Sequence, residues 1–388
     1  MKSKRFYLYS LFLLIITTGI SLFFLGKQQL TKSEIDEQTE NYIISRMGAC
    51  NNASDTSSCL KAAADEFLSL FPLSQVMDIF KQNEQTNELI TSCHETSHYL
   101  GQKAYQKKGN IADVFSECSN SCLGGCFHGA VEGYFIKKNI SLSGENEQQI
   151  KNEVSKICGK EEDYEKPQSF TECFHGLGHA LMFLADNDLI KALRFCDVLD
   201  QLDHRELCYT GSFMANVDGA GSIDHPSTYY KADDPMYVCS VIDQRYLRMC
   251  YTYAVTQAFQ ADIETTIRLC AQIPIEYREE CYRTFGRDRV VGSTTDVSDM
   301  KGQCDQIPNS DYRFSCYQGL SWSLMIRYGL SSTLPADFCH IVDAKYKSGC
   351  YAQVFNASKK WTRDESKRKE ACKNVQEKAY KDKCLANI

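Results

Sequence analysis

Twelve cysteines between residues 196 and 384 fall into six pairs: Cys196/Cys208, Cys239/Cys250, Cys270/Cys281, Cys304/Cys316, Cys339/Cys350 and Cys372/Cys384. Each pair encloses ten or eleven residues, and the first members follow one another at 43, 31, 34, 35 and 33 residues. The intervening sequence repeats as well, in CSVIDQRYLRMCY, CAQIPIEYREECY, CDQIPNSDYRFSCY and CHIVDAKYKSGCY. A tyrosine or other aromatic stands four before the second cysteine in most copies, and Tyr or Phe often follows it. A period of about 34 without strand alternation is the mark of stacked helical hairpins. The expectation is therefore an all-α fold: a helical-hairpin repeat, or α-solenoid, with a first cysteine ending one helix and a second starting the next. Pro274 and Pro308, two of only seven prolines, fall inside the turns, where a fixed φ breaks no helix.

Looser pairs continue the pattern toward the N-terminus at Cys50/Cys59, Cys118/Cys126 and Cys158/Cys173. Cys93 and Cys122 remain and can join each other, so that all 20 cysteines pair, although spacing does not dictate connectivity. Closing a loop of about a dozen residues stabilises by roughly 3 kcal/mol in the chain-entropy picture. A metal or cluster at C118-x3-C122-x3-C126 matches no zinc or iron–sulfur spacing. The period resembles that of tetratricopeptide and Sel1-like repeats of the cysteine-bridged kind, over about residues 150–388. The consensus W-x2-L-G-x2-Y is absent, so the resemblance implies only a helical scaffold of the kind that holds protein or peptide partners.

Many disulfides imply an oxidising compartment. The N-terminus agrees. Lys2, Lys4 and Arg5 precede an uncharged run from Phe6 to Leu25, long enough at about 1.5 Å per residue to cross a bilayer. No small-x-small cleavage signal follows. The reading is a single-pass anchor with its basic tip in the cytoplasm and its ectodomain outside. The expected organisation is a cytoplasmic tip (1–5), anchor (6–25), linker (26–40), histidine-bearing hairpins (41–215), polar insert (216–235) and disulfide-stapled hairpins (236–388). A net charge of −7 argues against nucleic acid as a partner. Asn52, Asn139 and Asn356 begin N-x-S/T sequons.

The first hairpins differ from the rest in their chemistry. Aligned on the second cysteine, the helix starts read CFHGAVEGYF from Cys126, CFHGLGHALMF from Cys173, CYTGSFMANV from Cys208, CYTYAVTQAF from Cys250 and CYQGLSWSLM from Cys316. Two and six residues after the cysteine stand His128 and Glu132, then His175 and His179. Later copies have Thr or Gln, then Met, Thr or Trp. Residues four apart share a helix face. His94 and His98, on a helix expected from about Asn87 to Lys108, form a third such pair. Gly101, Gly129, Gly133, Gly176 and Gly178 lie beside these positions, which suits close helix approach. Some of that glycine belongs to repeat packing, since Gly211 and Gly319 hold the same place in later units.

His94, His98, His128, Glu132, His175 and His179 are therefore candidate metal ligands. Five imidazoles and a carboxylate suit a transition metal, one or two ions per chain, with zinc leading and iron, copper or manganese accommodated. A hydrogen-bonded, pH-sensing histidine cluster is the alternative. The string CHETSHYLG at 93–101 resembles the zincin H-E-x-x-H motif, which implies His94 and His98 as zinc ligands and Glu95 as general base. The third ligand would be Glu132, His128 or His175. Zincins present substrate along an edge strand, however, and no strand run precedes residue 93. A zincin ion also needs three ligands where this chain offers six. In a two-ion site Glu132 could bridge, and Glu95 could serve as acid/base or hold an imidazole tautomer. Three functions follow in order: a metal-dependent enzyme, hydrolytic or oxygen-using; a protein-binding scaffold with a structural metal or histidine cluster; a zincin-type peptidase. The insert NVDGAGSIDHPSTYYKADDP is a surface loop or a cover for the site. His204 and His340, in turns, are expected at the surface.

Overall fold

In the computed structural model, residues 32–84, 86–119, 121–140, 147–218, 227–231, 233–234, 236–254 and 262–387 are described, and among them there are helices and no strand. Ten successive helices carry the fold. They are α1 (Lys32–Asn51), α2 (Thr56–Leu70), α3 (Cys93–Lys108), α4 (Gly125–Lys137), α5 (Pro167–Leu184), α6 (Leu202–Asp218), α7 (Leu247–Ala254), α8 (Arg278–Thr284), α9 (Ser310–Tyr328) and α10 (Ala344–Trp361). Each packs on the next in this order, and shorter helices fill most of the connections. α1 runs through the second half of the stretch expected as linker. α3 begins at Cys93, later than the expected Asn87, because residues 86–92 form turns. Local chemistry sets several ends. Asp55 accepts the Ser58 N–H at 3.0 Å, Pro167 opens α5, and Gly109 closes α3 at φ 72° with its N–H on the Tyr105 carbonyl.

All ten expected cysteine pairs are formed, Cys93–Cys122 included, with Cα separations of 5.3–5.8 Å, and no cysteine is free. The repeated aromatics have a physical role. From Cys173 onward, the residue after the second cysteine packs on the residue four before the second cysteine of the next unit. Tyr209 meets Tyr246, Tyr251 meets Tyr277, Tyr282 meets Tyr312 and Tyr351 meets Tyr380, with ring centroids 4.8–5.1 Å apart. His204, expected as a surface residue, occupies this slot and stacks on Phe174 at 3.9 Å. His340 is part-buried and bonded to Glu377 at 2.9 Å.

The buried side chains form two cores, one from Ile43 to Tyr253 and one from Cys270 to Val375, with Met236 and Tyr251 packed against both. The order of contacts is linear with one return: α10 also touches α5. There Arg363 donates to the Tyr164 and Glu161 carbonyls at 2.8 and 2.6 Å, and Lys166 lies 4.7 Å over the Trp361 ring. Among the described residues no helix is long and apolar enough to cross a membrane. The Phe6–Leu25 run, and residues 219–226 of the polar insert with His225, lie outside the described residues.

Candidate metal centre

Helices α3, α4 and α5 approach one another closely because glycine lines their contacts. A Cβ on Gly129 would stand 1.9 Å from the His98 carbonyl oxygen, and one on Gly101 would stand 2.1 Å from that of Cys126. The same device brings α5 to α6, where a Cβ on Gly178 would meet the Cys208 carbonyl at 2.0 Å. Short imidazoles from three helices can therefore meet.

They do meet. His94, His98 and His128 bring one nitrogen each within 4.8 Å of the others, and so do His128, His175 and His179. In the first trio the ring centroids are 4.7, 5.7 and 5.3 Å apart, and the planes cross at 72°, 71° and 68°, a three-bladed propeller. In the second, His175 and His179 lie 5.0 Å apart at 61°, but His128 stacks flat on His179 at 3.8 Å and 14°.

Hydrogen bonds orient the rings. His94 Nδ1 faces the Cys122 carbonyl at 2.8 Å; a carbonyl only accepts, so the hydrogen sits on Nδ1. Cys122 is held for this at φ 53° by its disulfide to Cys93, and its N–H donates to Glu84 at 3.1 Å. His98 Nδ1 likewise donates to Glu132 Oε1 at 3.0 Å, while Gln102 donates to Oε2 at 2.7 Å. His175 Nδ1 donates to the Thr210 hydroxyl at 2.8 Å, whose own hydrogen goes to the Leu207 carbonyl at 2.6 Å. In the neutral rings the Nε2 atoms therefore carry no hydrogen.

Of these, the His94 and His98 nitrogens face each other. His94 and His98 Nε2 are 3.2 Å apart, and His175 and His179 Nε2 are 3.3 Å apart. The two bare nitrogens of His94 and His98 repel at that distance unless a proton or a cation lies between them, whereas His179 with its hydrogen on Nε2 would donate to His175. Burial opposes the proton. It pulls His94 down to about 4, with the neighbouring His98 adding to the effect, and His175 to about 4, with Arg287 adding to it. Burial also holds His128 and His179 well below the ordinary range. By contrast, two nitrogens on one tetrahedral ion at about 2.05 Å stand about 3.3 Å apart. His128 Nδ1 is buried with no hydrogen-bond partner.

Five of the expected ligands converge, and two carboxylates take other places. Glu132 does not reach either nitrogen trio. It stands behind His98 and fixes that ring's tautomer. Burial works against its charge, but His98 and Gln102 outweigh burial and keep its carboxyl below the ordinary range. Glu95 is exposed on the outer face of α3, where it accepts the Tyr99 hydroxyl at 2.6 Å. One residue along from His94 is about 100° round the helix, which turns Glu95 out of the centre. The general base that H-E-x-x-H implied is thus not at the nitrogens. Sequence reading passed over the Cys122 carbonyl and Gln102. It also passed over Thr210, although Thr210 stands in the same repeat column as His128 and His175. Compared with family models, curated proteins and solved structures, the chain matches none.

Proposed function

We propose that this chain is a metal-dependent enzyme with two neighbouring transition-metal positions, carried on an α-solenoid anchored outside the cytoplasm by the Phe6–Leu25 run. The observation that carries the reading is the His94 and His98 Nε2 atoms facing each other at 3.2 Å with both Nδ1 hydrogens committed elsewhere, beside a second pair, His175 and His179, whose Nε2 atoms lie 3.3 Å apart. His94, His98 and His128 would hold the first ion, and His175 and His179 the second. Zinc fits the donor set and spacing; iron, copper and manganese also take imidazole. Three protein ligands leave one position of a four-coordinate ion for water or substrate, as in catalytic sites, whereas structural sites are closed. Such an ion activates bound water for hydrolysis or binds oxygen for oxidation. The chain's own part is to keep the imidazoles neutral, fix their tautomers through Cys122, Glu132 and Thr210, and hold them rigid across glycine-lined contacts. The outward turn of Glu95 ranks the peptidase reading below this one.

Metal content of the full-length protein, purified without chelator and measured by elemental mass spectrometry, tests the proposal. About two equivalents are expected, with one lost in His94→Ala and the other in His175→Ala. No stoichiometric metal in the wild type would leave a neutral histidine cluster on a binding scaffold and would sink the proposal.

A further inference from the structure

The second position is one protein ligand short. A nitrogen lone pair lies in the plane of its imidazole, so an ion bound by two rings lies close to both planes. His128 and His179 are stacked at 3.8 Å with planes only 14° from parallel. No point within about 2 Å of a nitrogen of each ring lies in both planes. His128 instead crosses His94 and His98 at 71° and 68° and belongs to their ion. His175 and His179, crossing at 61°, need a third donor from elsewhere.

One stands a turn away on the same helix. Glu172, His175 and His179 fall at i, i+3 and i+7 of α5. At about 100° per residue these positions lie within about 60° of one another. Glu172 is half-buried. Its carboxylate is turned back one helical turn, where it accepts the amide of Gln168. Burial pushes its pKa up; Gln168 and the more distant Arg287 only partly oppose this. A carboxylate partly withdrawn from water is costly, and a bound cation reduces that cost. Glu and His at i and i+3 on one helix are the pair that carboxylate/histidine bundles use to grip one ion.

We infer that Glu172 is the third protein ligand of the ion at His175 and His179, reached by rotation of its side chain off Gln168. The two positions are then unlike: three histidines at the first, two histidines and a carboxylate at the second. This rests on the two-ion proposal, and the failures of the two separate cleanly.

The test is cobalt(II) loading of the full-length protein, followed by visible absorption and equilibrium dialysis in the wild type, Glu172→Gln, Glu172→Asp, Gln168→Ala, His128→Ala and His175→Ala. Glu172→Gln is expected to weaken at least about tenfold the ion that His175→Ala removes. The absorption bands that His128→Ala removes should be unchanged. Gln168→Ala, which deletes the competing partner, should bind the second ion as tightly or more tightly. Glu172→Asp should weaken it and shift its bands, and it carries the test should Glu172→Gln fail to fold by circular dichroism. Two ions held by Glu172→Gln with wild-type affinity and spectrum would overturn the assignment. Failure of the wild type to bind cobalt, or one ion lost in every histidine variant, would sink the two-ion reading first and take the assignment with it.

Discussion

At the scale of single residues, the proposed centre would depend on hydrogen-bond acceptors as much as on ligands. Thr210 has no role as a donor to metal, yet it decides which nitrogen of His175 is bare. Thr210→Val is expected to weaken the second ion about 10- to 100-fold while Thr210→Ser stays close to wild type, read by competition with a metal-binding dye. The proposed first ion, whose His94 and His98 rings are oriented by Cys122 and Glu132, should not respond. Far from the centre, Glu377 offers a pH prediction. Burial works against its ionisation. The Lys347 ammonium, the Tyr351 hydroxyl and His340 outweigh burial and hold its carboxyl at about 2. A carboxyl depressed in the folded state stabilises above its unfolded value and loses that contribution as pH falls through the folded one. Glu377→Gln should therefore melt below the wild type at pH 7, and the two should converge as the pH is lowered from 4.5 toward 2, followed by circular dichroism. A constant difference across that range would count against the assignment.

At the scale of elements, glycine separates two uses. Gly129 sits where α4 crosses α3, and a Cβ there would collide with the His98 backbone. Gly129→Ala must push the helices apart. It is expected to cost at least about 1–3 kcal/mol, as overpacking does, and to lower metal occupancy at the first position. Gly302 is exposed in the helix Val297–Asp305, and a Cβ added there would meet nothing within 4 Å. Gly302→Ala should therefore gain about 0.5–1 kcal/mol and leave metal untouched. Thermal melts and metal analysis on both variants check the contrast. Helicity and the cysteine pairing were legible from spacing, because the pairs recur at a fixed separation along the chain. The aromatic beside each second cysteine was visible as a pattern, but its partner was not. That partner sits in the next unit, about 30 residues on, and the contact of Tyr251 with Tyr277 exists only once the units stack.

At the scale of the molecule, ten disulfides staple the fold and two cores share Met236 and Tyr251, so stability is expected to depend on oxidation. Native protein, denatured without reductant, should take up no thiol label, and all 20 cysteines should label after reduction, counted by mass spectrometry. The reduced chain should melt far below the oxidised one, since each closed loop of about a dozen residues contributes roughly 3 kcal/mol. The Arg363 contact with Glu161 and Tyr164 ties the late units back to the centre-bearing helix α5, a link that sequence separation of about 200 residues concealed.

Helicity, the hairpin period, the cysteine pairs and the three histidine pairs are one-dimensional properties. They follow from spacing along the chain, because a helix repeats its face every three to four residues and a turn repeats its staple. The roles of Glu132, Glu95 and Thr210 could not be settled that way. Glu132 shares a face with His128 but spends its carboxylate on His98, a ring of another helix. Glu95 borders His94 in sequence and points away from it in space. Which nitrogen of an imidazole is bare depends on what stands behind the ring, and only the packing of one helix on the next places that group.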